Sequence, residues 1–123
     1  MPARTGQQFL EGLRGPRAIW VDGERVTDVV DHPLLGGAAR GLAAVFDLHH
    51  AHPDVLLMPD AETGEPVAAS HMIPRSREDL ARRGAALRKV SEYSVGLMGR
   101  TPDYMNVTYA GFAGSREAWA AHG

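Results

Sequence analysis

The chain is 123 residues long, with 44% hydrophobic and 23% charged residues, the size and balance of one ordinary globular domain, which excludes disorder throughout. A formal net charge of -2 carries no global pull toward nucleic acid or a membrane surface. The absence of cysteine excludes disulfides, thiolate metal sites and cysteine nucleophiles, and suits the reducing cytoplasm, which is the expected location. No apolar stretch follows Arg4, so a secretory signal is not supported. The densest apolar run, Val55-Leu56-Leu57-Met58, is far too short to cross a bilayer. On that ground the sequon Asn106-Val107-Thr108 is a chance match.

In chain order, Thr5-Gly6-Gln7-Gln8 has the spacing of a capping box and predicts a short helix with Phe9, Leu10 and Leu13 as its buried stripe. Gly15-Pro16 ends it. Ala18 to Val21 and Glu24 to Val26 flank Asp22-Gly23, a pair suited to the positive backbone angles of a type I′ turn, so a small hairpin is expected. Asp31-His32-Pro33 reads as a loop entering a helix over 38–49, with Leu42, Val45, Phe46 and His49 at helical spacing. Residues 59–66, with two prolines, Gly64 and three acids, predict a loop, and 67–73 an extended segment. Ser76 followed by Glu78 and Asp79 opens the strongest helix, with Leu80, Leu87, Val90, Ser94 and Leu97 near one face and Gly99 as its stop. Thr101-Pro102-Asp103 restarts a helix with Thr as N-cap and Pro in first position, carrying Tyr104, Val107, Tyr109 and Phe112. A last helical stretch covers 115–121. The fold class is therefore mainly α with a small β-hairpin.

Three groups of residues compete for chemistry. His49-His50-Ala51-His52 is rich in imidazole, which binds zinc or nickel. These positions do not share a helix face, and no HExxH is present, so a solvated helix end is expected and no metal site is assigned. Gly36-Gly37 and the scattered glycines form neither GxGxxG nor GxxxxGK[ST], so no nucleotide loop is read. Between Arg75 and Arg100 lie seven basic residues and three acids, a local cation surplus that fits a solvated helix face or an acidic neighbour. Third is Gly99-Arg100-Thr101-Pro102-Asp103-Tyr104. With Thr101 as N-cap, Arg100 and Tyr104 can converge at a helix N-terminus, where free N–H groups already favour an anion. A guanidinium and a phenol there make a place for a phenolate or carboxylate oxygen. The alternative is that Arg100 pairs with Asp103 and Tyr104 packs in the core.

Gly99 to Tyr104 is similar to the G-R-[ST]-P-D-Y motif of the 4-hydroxyphenylacetate 3-monooxygenase oxygenase family. Arg4-Thr5-Gly6 with Phe9-Leu10, the stretch 20–26, Asp31-His32-Pro33, Thr63-Gly64-Glu65-Pro66, and 73–80 with Arg82-Arg83 resemble further family segments in the same order. The resemblance spans nearly the whole chain. It implies a fold like that of acyl-CoA dehydrogenases, of which residues 1–123 would form the N-terminal helical domain, without the central β domain and the C-terminal helical bundle. It implies reduced FAD, supplied by a separate flavin reductase, and hydroxylation of a phenol such as 4-hydroxyphenylacetate next to its existing hydroxyl. It also implies a homo-oligomer at full length, with no nucleic-acid or membrane partner.

In that family the arginine and tyrosine of the motif contact the substrate hydroxyl, roles that fall here on Arg100 and Tyr104 as substrate-binding and catalytic residues. The family's third hydroxyl contact, a histidine, would lie beyond residue 123, and His122 does not match it. Flavin contacts would lie mainly outside the chain, so none is assigned, and the isolated chain is expected to bind flavin poorly, to turn over nothing and to expose apolar surface. Two alternatives keep other functions open. One is a segment of an FAD-dependent 4-hydroxybutyryl-CoA dehydratase-like enzyme, whose iron–sulfur cluster needs cysteine ligands that this chain lacks. The other is a non-catalytic truncated module that pairs with another subunit.

Overall fold

Thr5 opens the first helix. Its hydroxyl accepts the Gln8 N–H at 3.2 Å while the Gln8 side chain accepts the Thr5 N–H at 2.9 Å, closing the capping box that starts α1 (Gly6–Leu13). The computed structural model describes residues 2–98 and 102–122. They divide into two units, one of Arg4–Ala51, the other of His52–Gly123 with the tripeptide Met1–Ala3.

In the first unit α1 packs on α2 (Gly36–Ala51). The contact is close because Gly6 has no side chain: a Cβ there would lie 2.5 Å from both the Ala43 carbonyl oxygen and the Asp47 carboxylate. The Gly6 N–H instead donates to Asp47 at 2.7 Å, which places an anion on the positive end of α1. Phe9 stacks on Phe46 at 4.8 Å, and the Arg4 guanidinium covers the other ring at 5.3 Å. The expected stripe Phe9, Leu10 and Leu13 is only half-buried, and Gly6 is the buried residue of α1. Arg17 closes the far end of the helix by donating to the Gly12 and Leu13 carbonyls. β1 (Ile19–Val21) and β2 (Glu24–Val26) pair antiparallel with Ile19 opposite Val26. Asp22 and Gly23, at φ 52° and 84°, make the expected hairpin turn. Arg14 bonds to Asp28 and Asp31, which ties the end of α1 to the loop after β2. Val26, Val30, Ala39, Ala43 and Val45 form the core.

His49 corrects the expected solvated helix end. It is 6% exposed, and its Nδ1–H donates to the Val45 carbonyl at 2.8 Å, so it behaves as a core residue of α2. His50 remains exposed and donates to the Arg4 carbonyl.

The second unit begins with α3 (Pro53–Leu56), where Pro53 takes the first position. β3 (Leu57–Pro59) and β4 (Pro66–Ala68) follow as a second antiparallel pair, closed by Pro59 opposite Pro66. The expected loop over 59–66 is therefore the tip of a second hairpin, and one hairpin becomes two. The extended stretch expected over 67–73 is a strand only to Ala68 and then a 3-10 helix, Ala69–His71.

Asp60 organises the hairpin tip by accepting from the Glu62 and Thr63 N–H groups and from the Thr63 hydroxyl. These bonds, those of Thr63 first, hold its carboxyl below the ordinary carboxylate range. A depressed carboxyl stabilises the fold above its unfolded pKa and loses that contribution as pH falls through the depressed value. Amide exchange at Thr63 should accordingly stay slow at pH 5 and quicken only below the ordinary carboxylate range. Asp60→Asn should remove the pH dependence.

α4 (Arg77–Ser94) starts at the Ser76 cap that the sequence predicts, and Asp79 closes it into a second capping box. Its buried side chains are Ala86 and Val90. Leu80 and Leu97, expected on the buried face, are exposed; Leu97, at 87%, lies beyond the helix, which ends at Ser94 and not at Gly99. α5 (Pro102–Gly114) and α6 (Arg116–Ala120) complete the unit. Its core is Leu56, Ala69, Met72, Ala86, Val90 and Ala110. The architecture is helix-rich with two small antiparallel sheets among the described residues, and no described helix is long and apolar enough to cross a membrane.

Candidate functional site

The C-terminal half of α4 and the start of α5 frame the site. α4 stops because Val95 and Gly96 both turn left-handed, at φ 52° and 71°, and the Gly96 N–H closes back on the Ser91 carbonyl at 2.9 Å. A β-branched residue in this region crowds its Cβ against the backbone and costs about 1–2 kcal/mol. Val95 is 81% exposed, so no burial offsets that cost. Val95→Gly is expected to raise stability by about 0.5–1 kcal/mol once the extra freedom of the unfolded chain is subtracted, measurable by urea unfolding.

α5 is held on one side only. Ala110 is buried, and Asn106 donates to the nearly fully buried Ser70 hydroxyl at 3.2 Å. The opposite side leaves Tyr104, Met105, Tyr109 and Phe112 exposed. Tyr104 is 54% exposed, so it does not pack in the core. It lines a hollow of about 240 Å³ together with Leu87, Val90, Ser91, Ser94 and Met98. Arg100, the other expected contact, lies outside the described residues, as do Gly99 and Thr101. The sequence placed Ser94 on the buried face of α4 and did not name Ser91, and neither was read as a site residue. Their three-residue spacing puts two hydroxyl groups on one side of a helix just before the motif, a signal that an apolar-face count overlooks.

The other candidates carry less. The described residues contain no cluster of His, Asp and Glu able to hold a metal. Within the basic stretch, Arg82 donates to the Leu57 carbonyl and Arg83 to the Met72 carbonyl, so both guanidinium groups already bind backbone. Nor do the described residues fit a flavin dinucleotide. The glycines that start α1 and α2 are close-packed, since a Cβ there would lie 2.5 Å from the Ala43 carbonyl oxygen and 2.4 Å from the Val30 carbonyl oxygen, so they serve helix packing and leave no open nest of N–H groups for a diphosphate. The larger hollow of the first unit, about 540 Å³, is rimmed by Arg14, Arg17 and Arg25. Two of these are committed, Arg14 to carboxylates and Arg17 to helix-end carbonyls.

The architecture is that of the N-terminal portion of flavin-dependent oxygenase components. A crystal structure of the oxygenase component of 4-hydroxyphenylacetate 3-monooxygenase, complexed with FAD and 4-hydroxyphenylacetate, is similar at a TM-score of 0.86 and 37% identity, over 94% of this chain and 24% of that one. The sequence matches the 4-hydroxyphenylacetate 3-hydroxylase N-terminal family over residues 5–123, and the chain belongs to that family. The corresponding oxygenase component of Thermus thermophilus is 37% identical over 116 residues, 94% of this chain and 24% of the relative. An archaeal 4-hydroxybutyryl-CoA dehydratase from N. maritimus is similar at a TM-score of 0.63 and 28% identity, over 73% of this chain and 18% of that one. The chain spans about a quarter of the length of the oxygenases it matches.

Proposed function

We propose that this chain is the N-terminal helical domain of an acyl-CoA dehydrogenase-like oxygenase, the component of a two-component monooxygenase that hydroxylates a phenol next to its existing hydroxyl. Reduced FAD, delivered by a separate reductase, is the electron source in this proposal and is held mainly by segments outside the chain. Arg100 and Tyr104 are the groups that grip the phenol oxygen. The observation that carries the proposal is a half-exposed Tyr104 on the first turns of α5, beside an open hollow, inside a family match covering residues 5–123. The oxygenase is preferred to the dehydratase because both identity and TM-score are higher for the oxygenase, 37% and 0.86 against 28% and 0.63.

The test is reductase-dependent conversion of 4-hydroxyphenylacetate to a catechol by the longer polypeptide that carries this domain, with loss of that conversion in Arg100→Ala. Absence of any FAD- and reductase-dependent hydroxylation across a panel of para-substituted phenols would favour a non-catalytic module.

A domain of this kind has to pack on others, and its surface fits that role. Tyr104, Met105, Tyr109, Phe112 and Trp119 are exposed on α5 and α6, with Phe112 and Trp119 meeting edge to face at 5.5 Å. Aromatic side chains of this size are costly to leave in water. The isolated chain should bind a hydrophobic dye strongly and self-associate at micromolar concentration, measurable by fluorescence and light scattering. A dye-silent monomer would count against the domain assignment.

A further inference from the structure

The hollow of about 540 Å³ in the first unit is built by the end of α1, the link that follows it and the first hairpin. Its size falls inside the range of small-molecule sites. Leu13, Ile19 and Val29 line it and are half-buried, so each keeps apolar surface that a ligand could cover. Arg14, Arg17 and Arg25 line it as well, and among the described residues no carboxylate does. The three guanidinium groups stand in different states. Arg14 is bound to Asp28 and Asp31. Arg17 donates to the Leu13 and Gly12 carbonyls at 2.8 and 2.9 Å, which fixes its position and leaves its charge. Arg25 sits on β2 opposite Trp20, and its guanidinium makes no hydrogen bond or ion pair with the described residues. Glu24, next to it on the strand, does not line the hollow. With Asp28 and Asp31 counted, the hollow keeps a surplus of one positive charge.

We propose that this hollow binds an organic monocarboxylate with an apolar body, the carboxylate on Arg25 and the body over Leu13, Ile19 and Val29. The planar fork of a guanidinium matches the two oxygens of a carboxylate, and a guanidinium with no other partner gives up only water to bind them. A single surplus charge suits a monoanion, whereas a phosphate dianion or a diphosphate needs a second uncommitted cation. Neither half of the ligand suffices alone. A short polar anion leaves the apolar wall wet, and an uncharged apolar molecule leaves Arg25 unpaired. The walls are also set before binding. Arg14 ties the end of α1 to the loop after β2, Arg17 ties the link back to α1, and the Asp28 carboxylate further accepts the Val30 N–H at 2.7 Å. A site fixed in advance pays less ordering cost when it is filled. It lies in the first unit alone, and its case is independent of the phenol reading.

The experiment titrates the full 123-residue chain, isotope-labelled and at neutral pH, with octanoate, octanamide, acetate and inorganic phosphate, read by amide chemical shifts. The expected result is saturable shifts at Ile19, Arg25 and Val29, with octanoate at least about tenfold tighter than the other three. Arg25→Ala should weaken octanoate at least about tenfold and leave octanamide unchanged, and Arg25→Lys should recover part of the loss. Arg25 is exposed, so the fold should survive; if circular dichroism shows otherwise, Arg25→Gln carries the comparison. Equal affinity for octanoate and octanamide would mean apolar adsorption, and equal affinity for octanoate and acetate or phosphate would mean a charged patch. Either result overturns the site, as do shifts confined to α5 and α6. Calorimetry with octanoate on the longer polypeptide, wild type against Arg25→Ala, should repeat the difference. Its disappearance there would mean that another segment covers the hollow, and overturns the small-molecule site. Octanoate is not a phenol, so failure of its binding leaves the phenol reading intact, and failure of phenol hydroxylation leaves this site intact.

Discussion

Arg100→Ala is expected to lower kcat for phenol hydroxylation by about 10²–10³, the cost of removing one preorganised charge from a developing oxyanion, about 2.7–4 kcal/mol. The reason lies in the acidity of the substrate. A free phenol ionises near pH 10, so at neutral pH almost none is phenolate, and the neutral ring is a poor nucleophile toward an electrophilic oxygen. A guanidinium against the phenol oxygen favours the ionised form, and each unit by which it lowers that pKa is worth about 1.4 kcal/mol. Arg100→Lys keeps the charge but loses the planar fork, and should recover part of the rate. Tyr104→Phe removes a single hydrogen bond to a charged oxygen and should cost about 10–150-fold, from roughly 1.5–3 kcal/mol for such bonds. The check is steady-state kinetics of the longer polypeptide with its reductase, following catechol formation against pH. Unchanged turnover in Arg100→Ala would remove the assigned role, and a flat pH profile in wild type and variant alike would remove the phenolate argument.

The second large effect concerns stability. Gly6→Ala should destabilise the first unit by about 1–3 kcal/mol, with Tm falling by roughly 5–20 °C. Two terms oppose each other. Alanine is a better helix former than glycine by about 0.8–1 kcal/mol. A Cβ at Gly6, however, meets the Ala43 carbonyl oxygen at 2.5 Å and the Asp47 carboxylate at the same distance, and the carbonyl belongs to helix backbone that cannot rotate away. α1 must then move off α2, which lengthens the bond from the Gly6 N–H to Asp47 and disturbs the stack of Phe9 on Phe46. The contrast is Gly84 in the middle of α4, where a Cβ would meet nothing within 4 Å. Gly84→Ala should keep the propensity gain and raise stability by about 0.8–1 kcal/mol. Opposite signs for one chemical change at two helical glycines, read by thermal unfolding, isolate the close approach as the cause. A stabilising Gly6→Ala would mean that the two helices do not touch there.

Local chemistry was legible where it is enforced by neighbours in the chain. The capping box at Thr5 and the N-cap at Ser76 were both readable, since donor and acceptor sit three residues apart and need no tertiary partner. The turn at Asp22-Gly23 was readable because few residue pairs accept two positive φ angles in succession. The end of α4 was misjudged because Val95 takes a left-handed conformation that its branched side chain disfavours, and the glycine read as the stop was Gly99 and not Gly96. The second hairpin escaped because Leu57 to Pro59 is a three-residue strand inside a short apolar run, and periodicity cannot separate strand from helix at that length. At the site, Tyr104 was found through its motif, while Ser91 and Ser94 passed as ordinary helix residues until the hollow showed what they border.

The amino-acid sequence by itself determined the family, the helix starts at Thr5 and Ser76, the first hairpin and the choice of Arg100 and Tyr104 as candidates, because each depends on residues close together in the chain or on motifs met in fixed order. Only the tertiary structure decided that His49 is a core residue, that Gly6 is a contact point between helices, and that Tyr104 stands beside a hollow lined by α4. Those facts depend on which surfaces meet between segments far apart in the chain, as Gly6 of α1 meets Ala43 of α2. Burial is a property of the assembled pair, and neither helix carries it alone.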